Sequence, residues 1–212
     1  MNNEANATQV SPASRRSRTV ALTETAILIA IILLMAYTPI GYIRAGVLTI
    51  TLISIPVAIG AIVIGPAAGA LLGGVFGITS FTQALMGTSL LTSALLQINP
   101  FLTLILCVGT RILAGWLTGV IFRAIHKRIP KPSYFIGGFA MPFLNTVFFM
   151  SALVLFFWNS PAVQESAARL GAVNPLIFVV LSISVNAVVE WISGTVVAGL
   201  IGAALHRAGF AR

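Results

Sequence analysis

The residues able to do chemistry in this 212-residue chain are few: four glutamates, no aspartate, two histidines, one cysteine and twelve lysines and arginines. The placement that most needs explaining is Arg111. Within CVGTRILAGW, Cys107 to Trp116, it interrupts a segment that is otherwise apolar or small from Phe101 to Phe122. Ten residues after Phe101 is about 15 Å along a helix, too deep in an apolar layer for the side chain to reach water at either face. A charge so placed must face a bundle interior or a wet cavity. Its i, i+4 ridge continues through Gly115 and Gly119, and a second ridge repeats the arrangement with Asn186, Glu190, Gly194, Ala198 and Gly202. Two uses follow. Arg111 and Glu190 could form a structural ion pair, or Arg111 could be the counter-ion of an anionic ligand, with Glu190 and Asn186 ordering it or touching the ligand. A guanidinium has five donors and can serve a carboxylate on each side, so the two uses are compatible. Ser80, Gln83, Gln97, Asn99, Thr103, Asn145 and Thr146 fall toward the same end of their segments, with Tyr42 in the adjoining loop. This collection beside one fixed positive charge predicts capture of a small polar or anionic solute.

Catalysis finds little support. His126 and His206 both stand at the basic ends of apolar runs, and the chain contains neither an H-E-x-x-H pair nor a G-x-x-x-x-G-K-[ST] phosphate loop. Cys107 is alone, so no disulfide framework and no Cys/His metal cluster can be drawn. No metal and no cofactor is implied. Concentrative transport would need an ion gradient or a separate motor.

The elements that position these groups are membrane helices. The chain is 58% hydrophobic and 8% charged, and its mean hydropathy is +1.03, beyond the range of a soluble domain of this length. About 20 apolar residues are needed to cross as helix, and six such runs are read at about 20 to 38, 46 to 64, 66 to 86, 101 to 124, 134 to 158 and 175 to 205. Stretches such as LIAIILLMAY are apolar on every side, which excludes the period-2 pattern of a membrane barrel. The fold class is an all-α membrane protein of six transmembrane helices: residues 1–18 form a polar, disordered tail and residues 19–212 the transmembrane domain. Arg15, Arg16 and Arg18, then Arg123, Lys127, Arg128 and Lys131, then Arg207 and Arg212, fall on one side only if the spans number six. Cytoplasmic loops carry the excess of Lys and Arg, so both termini are expected in the cytoplasm. Asn99-Pro100 and Asn174-Pro175 pair a capping side chain with a proline at the first helical position. Gly65-Pro66 reads as a tight turn, Pro56 and Pro142 as bends inside spans, and Gly65, Gly69, Gly73 and Gly77 as a ridge for close helix packing.

Taken together, the segments from Ile55 to Phe81 (IPVAIGAIVIGPAAGALLGGVFGITSF), Thr110 to Trp116 (TRILAGW), Leu144 to Phe149 (LNTVFF) and Asn186 to Gly194 (NAVVEWISG) resemble the substrate-binding S components of energy-coupling factor (ECF) vitamin transporters, most closely the pantothenate type. The resemblance implies a bundle that binds a vitamin from outside and docks on a transmembrane T component carrying two cytoplasmic ATPases. It also implies docking through a small-xxx-small pair in the first helix, which matches Ala26 and Ala30. Thr110 departs from the family, whose members often have proline before the arginine. Pantothenate offers a carboxylate, an amide and two hydroxyls, which suit one arginine with Asn, Gln and Thr groups. Riboflavin or thiamin would call for stacking surfaces that the scattered tryptophans do not provide, while Tyr37 and Tyr42 could stack, and folate and biotin are anionic too. Pro39, Gly41 and Gly46 bracket Tyr42 and Arg44 in an outer loop expected to close over the ligand. A self-sufficient small-solute transporter is the alternative function, and a membrane enzyme lacks catalytic groups.

Overall fold

The computed structural model describes the backbone of residues 12–45, 48–183 and 185–208, and the side chains of residues 19–39, 41, 51–183 and 187–208. Helix α1 runs Pro12–Tyr37 and ends in a 3-10 turn at Pro39–Gly41. Strands β1 (Tyr42–Ala45) and β2 (Leu48–Thr51) pair antiparallel, Tyr42 opposite Thr51 and Ala45 opposite Leu48. There follow α2 (Ser54–Val63), α3 (Pro66–Leu85), α4 (Leu90–Ile98), α5 (Pro100–Leu104), a π-helical segment (Ile105–Gly109) and α6 (Thr110–His126). The chain continues through α7 (Pro130–Phe157), α8 (Pro161–Arg169), α9 (Pro175–Ser182), α10 (Val185–Ser193), a second π-helical segment (Gly194–Ala198) and α11 (Gly199–Arg207). Apart from the hairpin the described fold is helical.

Five helical stretches are long and apolar enough to cross a membrane: Thr19–Tyr37, Pro66–Leu85, Pro100–His126, Pro130–Phe157 and Ala187–Arg207. The run read as a span over 46 to 64 is different. Its first part is strand β2, and its helix, α2, has ten residues, all buried. Ten residues rise about 15 Å, half of a hydrocarbon layer. The short element is tolerable because protein surrounds it, so no irregular backbone beside it has to meet lipid. Pro56 accordingly lies in the first turn of α2, where a missing N–H leaves no bond unmade, and does not bend a span. The run over 175 to 205 is also broken, into α9, α10, the π segment and α11. At the other end of the chain α1 begins at Pro12, inside the segment read as a disordered tail.

Antiparallel packing of α3 on α6 is the spine of the bundle. A Cβ on Gly69 would strike the carbonyl of Gly115, one on Gly73 the carbonyl of Arg111, and one on Gly77 the backbone of Val108 at 2.6 Å. The ridge expected to permit close approach therefore does so, with Gly115 and Gly119 of the Arg111 ridge on the facing helix. Gly65 caps α3 at φ +127°, a conformation open to glycine, and Pro66 takes the first helical position. The Asn99 side chain accepts Leu102 N–H at 3.0 Å and Asn174 accepts Ile177 N–H at 2.8 Å, as the Asn-Pro pairs predict. A core of Ile32, Val57, Ile62, Leu72, Phe76 and Met141 fills the centre. A second cluster, Leu95, Leu106, Leu153 and Phe178, fills the end away from the basic residues.

Candidate functional site

Arg111 is the second residue of α6, directly after a π-helical segment. A π turn leaves the helix ladder locally out of register. One such carbonyl is served by the arginine itself: Nη1 donates to Cys107 O at 2.8 Å. The guanidinium carbon stands 4.6 Å from the centre of the Phe76 ring and 5.4 Å from that of Phe149. Flat against aromatic faces, a guanidinium keeps its in-plane donors for other partners. The residue is 8% exposed, yet it lines a cavity of about 910 Å³.

This cavity lies at the end of the bundle opposite the basic residues. The C-terminal end of α1 (Ala36 to Pro39), Thr51 and Ser54 beside the start of α2, Phe76, Ser80, Gln83 and Met86 of the α3 end, Asn145 of α7 and Glu190 of α10 bound it. Five polar residues singled out from sequence, Ser80, Gln83, Arg111, Asn145 and Glu190, thus meet around one space, with Tyr37 on the same wall. Gln83 Nε2 donates to Ala36 O at 2.8 Å, joining α3 to α1 at the rim. The Asn145 Oδ1 is buried and has no hydrogen-bond partner among the described residues. Glu190 Oε1 accepts the backbone N–H of Thr51 at 2.8 Å. Among the described residues the ion pair is Glu165–Arg169 on α8, so the Arg111–Glu190 pair considered from sequence is not formed within contact distance.

Other expected residues stand elsewhere. Gln97 is exposed on α4, and Asn99 caps α5 beside a separate recess of about 400 Å³ next to Trp158 and Pro161. Thr103 is fully buried and donates to Asn99 O at 2.9 Å. Thr146 donates to Pro142 O at 3.0 Å, next to Trp191. The side chains of Tyr42 and Asn186 lie outside the described residues. Phe76, Phe149, Thr51 and Ser54 were not anticipated, because an apolar ring or a small hydroxyl in an apolar run carries no sign of its neighbours on other helices. For Phe76 the one available signal was its place between Gly73 and Gly77. Ala26 and Ala30 are exposed on α1.

A buried arginine beside two aromatic rings at the edge of a roomy cavity, with an unserved amide oxygen on the same wall, can bind an anion that also brings a hydrogen-bond donor. The family model described as the substrate-specific component of ECF transporters matches residues 20–202. The pantothenate transporter PanT of Leuconostoc mesenteroides subsp. mesenteroides is 30% identical over 199 residues, covering 88% of this chain and 92% of that protein. This multi-pass membrane chain belongs to the family of ECF transporter substrate-specific components.

Proposed function

We propose that this protein is the vitamin-binding S component of an ATP-driven ECF uptake transporter and that its ligand is pantothenate. The observation that carries the reading is Arg111, 8% exposed, with the Phe76 and Phe149 rings 4.6 and 5.4 Å from its guanidinium carbon, at the wall of a cavity of about 910 Å³. The pantothenate carboxylate pairs with the Arg111 guanidinium, and its hydroxyl or amide donors meet Asn145 and Gln83. Six crossings place both termini and the basic clusters in the cytoplasm, with the hairpin and the short α2 together making the second crossing. The cavity then opens outward. ATP is hydrolysed by two separate cytoplasmic subunits, coupled through a T component that meets α1 at Ala26 and Ala30.

Calorimetric titration of the detergent-purified chain with pantothenate, biotin, folate and riboflavin tests the ligand. Tight one-to-one binding of pantothenate alone is expected, and heat with a different vitamin alone would move the substrate. In the same titration Arg111→Ala should weaken pantothenate roughly tenfold or more, since a charge-assisted bond contributes about 1.5–3 kcal/mol. Arg111→Lys should restore only part of it, because an ammonium cannot make the bidentate contact.

A further inference from the structure

Strand β2 runs beside α10, and its last residue, Thr51, sends its backbone N–H away from the hairpin to Glu190 Oε1, 139 residues distant in sequence. An outward N–H on an edge strand at membrane depth has no water to meet and needs an acceptor from the protein. Thr51 and Glu190 both line the cavity that holds Arg111. Two facts separate the work of the two charged residues. A ligand carboxylate drawn to Arg111 would be repelled by a second carboxylate, so Glu190 is poorly suited to touch that group. Its Oε1 is already engaged by the backbone N–H of Thr51, which ties the side chain to the strand.

We propose that Glu190 is a positioning residue: through the Thr51 N–H it fixes β2 as a wall of the ligand cavity, and so sets how long an anion bound at Arg111 is retained. The proposal rests on the ligand reading above for its kinetic part, while the anchoring part concerns the protein alone. Glutamine keeps a carbonyl oxygen at the position of Oε1 and removes the charge, whereas alanine removes the acceptor. The test is amide hydrogen exchange at Thr51 in the ligand-free, full-length protein, together with the dissociation rate of radiolabelled pantothenate, for Glu190→Gln and Glu190→Ala. Alanine should speed exchange at Thr51 by about tenfold or more and speed dissociation in parallel. Glutamine should stay within about threefold of the native protein in both. Unchanged exchange at Thr51 in the alanine variant would overturn the anchor. Dissociation as fast with glutamine as with alanine, while Thr51 stays protected, would overturn the positioning role in favour of a direct effect of charge on the ligand. Should the native chain fail to bind pantothenate, the substrate reading falls, and exchange at Thr51 still decides whether Glu190 anchors β2.

Discussion

At Arg111 and Asn145 the same bundle treats two polar groups differently. Arg111 is supported by its surroundings: two aromatic rings stand close to the guanidinium, and the carbonyl of Cys107 accepts a hydrogen bond from Nη1 at 2.8 Å. Asn145 has its Oδ1 buried with no hydrogen-bond partner among the described residues. A buried acceptor left unserved costs about 1–3 kcal/mol, which an apolar side chain of the same size avoids. Asn145→Leu should therefore leave the thermal midpoint of the ligand-free protein unchanged or higher, while pantothenate affinity falls several-fold in calorimetry. The opposite pattern, a lower midpoint with affinity intact, would make Asn145 a link between helices. Arg111, Glu190, Asn145 and Gln83 were legible in the sequence because a polar group in a long apolar run must face inward. Gln97 and Asn99 stand apart from this cavity: both are close to a helix end, where exposure or capping serves an amide. That Glu190 serves a backbone N–H 139 residues away could not be read, since one-dimensional spacing holds no record of which strand edge meets which helix.

Among the elements, α3 and α6 set the geometry of the site. The Gly73 position faces the carbonyl of Arg111 so closely that no Cβ fits, which couples the ridge directly to the residue proposed to bind the ligand. In Gly73→Ala the backbone of α6 has to move, and overpacking of this kind costs about 1–3 kcal/mol. A lower melting temperature in detergent together with weaker pantothenate binding is expected. A stability loss with full affinity would show that α6 can shift without carrying Arg111 away. The glycine period of four and the two Asn-Pro starts were legible because each depends on residues within a turn or two. The hairpin was not: LTIT continues into LISIPVAIGAIVI as one apolar run, and periodicity alone does not separate a buried strand from a buried helix. The π segments next to Arg111 and after Glu190 carry no proline, so no local signal announced them. They matter to the site: the first presents the Cys107 carbonyl that Arg111 meets, and the second begins four residues after Glu190.

Over the whole molecule the enclosure of the spans is uneven. Only 17% of the apolar window of α1 is buried, against 44% for α3 and for the Pro100–His126 span. Thr25, Ile32 and Ala36 turn inward, while Ala26 and Ala30 are exposed. Exposed leucines and isoleucines on this helix suit lipid, but two alanines one turn apart leave a shallow place where another helix can come close. Without a hydrophobic drive between helices in lipid, close backbone approach through small residues is what holds them together. The cavity touches α1 only at its far end, Ala36 to Pro39, so the proposed capture and docking fall on different parts of one helix and would be separable by mutation. Replacing both Ala26 and Ala30 with leucine should leave the pantothenate dissociation constant within about twofold of the native value. The same change should abolish co-purification with a T component and vitamin uptake in vesicles carrying the complete complex. Uptake that persisted at the native rate would assign these alanines to the lipid boundary and move the docking surface to another helix. A loss of binding in the isolated chain would instead mean that α1 transmits its packing to the rim of the cavity, where Gln83 holds the Ala36 carbonyl at 2.8 Å.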